Sequence, residues 1–179
     1  MSNNKTENTE PQEDLTELED AFILAMDNRQ NGLSDIAEKQ LLAILQKEPR
    51  LAEPHLELAH LYLGIQKLDE AKIHIDQAIH FLENGGQWLD IPENELKSLA
   101  YSTKGEILRQ IADQDEVMFG DEQILIQLLE EVKKAFLKAR ELDHQNEYSQ
   151  LWGAPHQWTS HQKEPLPNTK DEDSSSKDS

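Results

Sequence analysis

Residues 52–79, AEPHLELAHLYLGIQKLDEAKIHIDQAI, decide the fold. Apolar residues recur there at three and four, at Leu58, Ala59 and Tyr62 and again at Ala71, Ile75, Ala78 and Ile79, which is the period of an amphipathic helix and not of a strand. Asp69, between the two runs, is placed to cap the second helix, and Pro54 suits the first turn of the first. The same pattern stands 34 residues earlier. Leu24, Ala25, Asp35, Ala37, Leu41, Ile44 and Leu45 match Leu58, Ala59, Asp69, Ala71, Ile75, Ala78 and Ile79 in character, each at an apolar or capping place of a helix pair. Alanine at 25, 37, 59 and 71 lets two antiparallel helices approach where larger side chains would hold them apart. Stacked pairs would then bury a continuous core that no single pair could.

Outward from this stretch the breaks have mechanisms. Ser34 and Asp35, after Asn31–Leu33, can cap a helix that Pro49 stops. Asn84, Gly85 and Gly86 end the helix that Asp69 opens; Pro92 and Asn94 open a fifth running to about Ala112; Asp121 can cap a sixth running to about Asp143. No segment alternates at period two with β-branched or aromatic residues, so strands are not expected. Residues 1–14 and 163–179 lack the apolar content that would repay ordering, and are expected to be disordered tails.

Composition narrows the function. With 17 basic and 36 acidic residues the chain carries −19, of which the two tails hold only −3 and −2, leaving −14 on residues 15–162. So acidic a body repels phosphate backbones and anionic lipid, so neither nucleic acid nor membrane is an expected partner. There is no cysteine, hence no disulfide, thiolate metal site or cysteine nucleophile, which fits a reducing, cytoplasmic setting. Residues 1–14 have no apolar signal core, and the longest apolar run, 21–26, is far too short to span a bilayer.

Residues 52–79 resemble the tetratricopeptide repeat family, with Leu58, Ala59, Tyr62, Ala71, Ile75 and Ala78 at its signature places. An earlier unit supplies Leu24, Ala25, Ala37, Leu41 and Pro49, with Asn28 where the signature tyrosine would lie. A third is split between Tyr101, Gly105 and Leu108 and, later, Phe136 and Ala139; Lys104 stands where leucine is usual. Gly105 and Ala139 lie 34 residues apart instead of 19, so about 15 residues are inserted between them. The resemblance implies an all-α, right-handed α-solenoid of about three helix hairpins within residues 15–147, with units near 18–51, 52–85 and 95–143; a bundle of four or six helices is the plainer alternative.

No catalytic residue, cofactor or metal is expected. The histidines at 55, 60, 74, 80, 144, 156 and 161 show no HExxH or comparable ligand spacing, with His74 and His80 on different faces of one helix. Acidic runs such as Glu17, Glu19 and Asp20 or Glu130 and Glu131 read as solvated helix faces, and no glycine-rich phosphate loop is present. The resemblance implies instead a non-catalytic module that binds a segment of another protein on the concave face made by the first helix of each pair. Those places map to Glu19, Phe22, Met26 and Arg29, to Glu53, Leu56, His60 and Leu63, and to Leu99, Ser102, Glu106 and Arg109. Some of the apolar ones belong to the core instead if the register is one residue off. The basic clamp with which co-chaperones of this family hold acidic carboxyl termini is missing, since its places carry Phe22, Met26, Glu57 and Leu99.

Two other features are open. Trp152 and Trp158, in the segment 148–162, either cap the last helix pair or form a docking motif. The insertion at 113–126 carries Val117, Met118 and Phe119 between acidic flanks, either folded back between lengthened helices, which Ile124, Leu125 and Leu128 favour, or exposed as an apolar knob. Adaptor or scaffold is the reading these features favour; a dedicated chaperone of secretion-apparatus subunits, and a regulatory subunit whose inserted loop reaches a partner enzyme, are the alternatives. The far-ultraviolet circular dichroism spectrum should be dominated by helix, and a substantial strand contribution would count against the fold class.

Overall fold

The computed structural model describes residues 10–89 and 91–143, with the side chains of 10–14 left aside. Over these residues the chain is all-helical: α1 Glu10–Gln30, α2 Ser34–Lys47, α3 Ala52–Gly64, α4 Leu68–Glu83, α5 Glu93–Ala112, a single turn α6 Asp115–Met118, and α7 Glu122–Leu142. Trp152, Trp158 and the aromatic segment around them, residues 144–147, the tail at 163–179 and residues 1–9 lie outside the described residues. α1 begins at Glu10, not near Leu15, so the expected boundary of the amino-terminal tail falls inside a helix.

Three helix pairs do most of the packing, α1 with α2, α3 with α4 and α5 with α7, and each second helix also leans on the first helix of the next pair. Their contacts run along the small residues singled out by the 34-residue offset. Ala25, Ala37, Ala59, Ala71 and Ala78 are all fully buried, and with Leu41, Leu58, Ile75, Leu96 and Ile107 they belong to or border one core that crosses from the first pair to the third. In the third pair the approach is closer still. A Cβ on Gly105 would stand 2.8 Å from the ring of Phe136, itself fully buried, so glycine makes room for the ring.

Helix ends follow the expected mechanisms only in part. Asp121 caps α7, its carboxylate accepting from the Gln123 amide at 2.8 Å. Ser34 and Asp69 do not cap: the residues before α2 and α4 are Leu33 and Lys67, with no side-chain cap, and Asp35 and Asp69 lie inside the first turns. There they still oppose the positive end of the helix dipole. After α4 the chain turns back at Asn84–Gly86. The Gln87 carbonyl accepts from the Ala52 amide and its amide donates to the Arg50 carbonyl, tying the start of α3 to the end of α4.

The stretch between Gly105 and Ala139, expected to carry about 15 extra residues, is mostly helical. α5 and α7 run to 20 and 21 residues where α3 and α4 have 13 and 16, and α6 joins their far ends. The tip does not fold back between them. Phe119 is 80% exposed and Met118 44%, so the expectation that this cluster packs is corrected. Leu125 and Leu128 are part-buried, but Phe119, the residue that ends α6, faces solvent. Because Ala71 is fully enclosed between α3 and α4, Ala71→Leu should destabilise the chain by about 1–3 kcal/mol. Thermal and urea melts test this, and an unchanged midpoint would mean that the α3–α4 contact tolerates bulk.

Candidate functional site

The residues mapped to the first helix of each pair separate into three groups. Leu56 is 1% exposed and Glu53 2%, so both are core and not lining, a correction that follows from α3 being covered on both sides. Phe22 is half-buried against the core of the first two pairs. Met26, Arg29, His60, Leu63, Leu99, Glu106 and Arg109 keep part of their surface. Of these, His60, Leu63, Leu99 and Glu106, together with Ser102 and Thr103, line one groove between α3 and α5 of about 420 Å3, open to solvent.

A polar chain crosses beside that groove and links all three first helices. Arg29 Nη1 of α1 lies 2.7 Å from Glu57 Oε2 of α3. The same oxygen lies 3.5 Å from His60 Nδ1, one turn along α3. His60 Nε2 meets Thr103 Oγ1 of α5 at 2.8 Å, and that hydroxyl donates to the Leu99 carbonyl at 2.9 Å. Since the threonine proton is committed to the carbonyl, His60 donates from Nε2 and its Nδ1 faces the carboxylate. Glu57 Oε2 is buried without a well-directed hydrogen bond, so the Arg29 contact acts as charge more than as a directed bond. Arg29 is 33% exposed and Glu57 13%, and the effect of the contact is orientation. His60 is therefore anchored across two helices and not simply solvated.

Glu106 is held by its own helix. Arg109 binds it through Nε and Nη2 at 2.9 and 2.7 Å, and Gln110 donates at 2.8 Å. Burial pushes its carboxyl up, but these hydrogen bonds outweigh burial and keep it below its usual range. Arg109 also reaches Asp113 at 2.6 Å. The charges expected to read a ligand are thus largely paired among themselves. What the groove offers outward is apolar wall from Leu63 and Leu99, with Ser102 Oγ at its base, buried and without a partner.

Sequence reasoning missed Thr103 as the partner of His60, which sits 43 residues away on another helix. It also missed a histidine pair on the opposite side of α3. His55 Nδ1 and His74 Nδ1 are 3.0 Å apart, and His55 Nε2 lies 3.1 Å from the Pro49 carbonyl. His74 stacks on Tyr62, whose hydroxyl donates to Glu38 at 2.7 Å. Spacing alone carries no signal for such a pair, because its members lie 19 residues apart on two helices. Among the described residues no group of three or more histidine, aspartate or glutamate side chains could hold a metal, and no helix is long and apolar enough to cross a membrane. Comparison with known proteins gives no match to a family model, a curated protein or a solved structure.

The histidine pair predicts a pH dependence. Burial, and then the charge of His55, push His74 down to about 4, and burial lowers His55 as well. The unfolded chain then binds protons that the folded chain refuses, so this contribution to stability is complete above about pH 6.5 and drains away as pH falls toward about 4. Thermal midpoints should fall across that window, and His74→Phe, which keeps a ring against Tyr62, should flatten the slope. An equal slope in the variant would assign the acid sensitivity to other groups.

Proposed function

We propose that the chain is a non-catalytic interaction module of the tetratricopeptide type, three stacked helix pairs in a right-handed array, that holds a segment of a partner protein in the α3–α5 groove. The observation that carries this reading is the groove itself: apolar walls from Leu63 and Leu99, a buried unpartnered hydroxyl at Ser102, and a histidine anchored across two helices at its rim. A partner side chain of leucine or methionine size fits between the walls, and the Ser102 hydroxyl at the base of the groove is left to pair with a polar group of the partner. Met26 and Arg29 extend the same face onto α1, where Arg29 is kept in line by Glu57.

A photo-crosslinking residue placed at Leu63 should link to a partner from the native host, and Leu99→Glu should abolish the product while leaving the melting temperature within a few degrees. Labelling at Ile73, which is 61% exposed on α4, should give no such product. Equal products from both positions would sink the groove as the binding site. One observation favours a second reading, a regulatory subunit whose inserted tip enters a partner: Phe119, the most exposed large apolar side chain among the described residues, stands at the end of α6. In that case Phe119→Ala abolishes capture and Leu99→Glu does not.

A further inference from the structure

Residues 34 apart hold equivalent places in the first two helix pairs, yet Leu58 is fully buried while Leu24 is 53% exposed. The contrast lies in what covers each pair. His55, His74, Gln77 and Phe81 of the second pair face Leu42, Leu45 and Gln46 of α2 and Pro49 just beyond it across a shared groove, and His55 bonds to the Pro49 carbonyl. In the third pair Tyr101 donates to Glu83 and Lys104 binds Asp76 at 2.7 Å, both on α4. Each later pair thus reaches back to the second helix of the pair before it.

Subtracting 34 from His55, His74, Gln77 and Phe81 gives Ala21, Gln40, Ala43 and Lys47. With Leu18, Leu24 and Ile44 these line a groove of about 450 Å3 on the outer side of α1 and α2, and every lining residue comes from those two helices. Among the described residues it is the same surface without its opposite wall. Ala21 and Ala43 stand where the second pair has histidine and glutamine, and Lys47, paired with Glu17 at 3.0 Å, stands where it has Phe81. Ile36, 47% exposed on α2, adds to the apolar surface of this pair.

We propose that this edge docks an amphipathic helix of a partner protein, seated on α1 and α2 as α2 is seated on α3 and α4. The template fixes the chemistry: aliphatic residues at i and i+3, as Leu42 and Leu45 present them to the second pair, with lysine or arginine flanks. Basic flanks follow from the −19 charge of the chain and from exposed Asp20 and Asp27 on α1 beside Ala21 and Leu24, while Lys47 at the groove edge is already paired with Glu17. A second copy fits less well, because like charge opposes it and head-to-tail stacking of the array does not close. The proposal rests on reading the pairs as repeats, but not on the α3–α5 groove, which lies on another face.

Fluorescence anisotropy on the full chain tests it with two labelled peptides, residues 34–49 as they stand and the same peptide carrying Asp35→Lys, Glu38→Lys and Glu48→Lys. The lysine peptide should bind saturably, more tightly than the unsubstituted one. Leu24→Arg and Ala43→Arg, both at exposed positions, should each weaken it about tenfold or more without lowering the melting temperature, while Leu63→Arg leaves it unchanged. The proposal is overturned if neither peptide saturates at millimolar concentration, if Leu24→Arg binds as well as the parent, or if Leu63→Arg abolishes binding. A concentration-dependent dimer in sedimentation that Leu24→Arg dissolves would overturn it too, by giving the edge to a second copy.

Discussion

Close approach of paired helices at small residues is the constraint on which the remaining structure depends. Ala25 and Ala37 bring α1 to α2, Ala59, Ala71 and Ala78 bring α3 to α4, and Gly105 admits the ring of Phe136 between α5 and α7. Because backbones are that near, large side chains such as Leu41, Ile75 and Ile107 can interdigitate on either side of each contact, and one core continues from pair to pair. A methyl group in excess at these places has nowhere to go, since both neighbouring backbones are already fixed by further packing.

The candidate site depends on that spacing at one remove. Arg29, Glu57, His60 and Thr103 come from three helices, and their distances of 2.7 to 3.5 Å exist only while α1, α3 and α5 keep their separation. The charged contacts lie at the groove rim, with Arg29 33% and His60 24% exposed. Their consequence is geometric: His60 and Leu63 are held opposite Leu99 with little freedom, and a groove held in place costs a ligand less ordering when it binds. The loosely supported parts of the molecule lie elsewhere. Phe119 at the α6 turn and Leu24 on the outer edge of the first pair are apolar surfaces that no other described residue covers.

Local chemistry made most of the helices legible. The 3.6-residue period, the stop at Pro49, the break at Asn84–Gly86 and the Asp121 cap act within a few residues, so they placed most helix ends within one residue. Where local signals compete they misled. Ser34 and Asp69 resemble caps, but each helix starts at or before them, because Leu33 and Lys67 already adopt the terminal conformation. Leu24 and Leu58 carry the same pattern and differ in exposure, and among the described residues a helix pair stands in front of the second unit alone.

By itself, then, the sequence determined the helical class, the places of close helix contact, the acidic excess and the lack of thiol chemistry, since each of these depends on residue type and near neighbours. Tertiary structure alone decided which members of an amphipathic face are lining and which are core, as with Leu56 enclosed and Leu63 open on one helix. It also decided that His60 meets Thr103, that His55 meets His74, and that Phe119 faces water. The physical reason is the same throughout: a helical period fixes the direction of a side chain within its own helix to about 100° per residue, whereas burial and pairing depend on what a different helix, tens of residues away, brings opposite it.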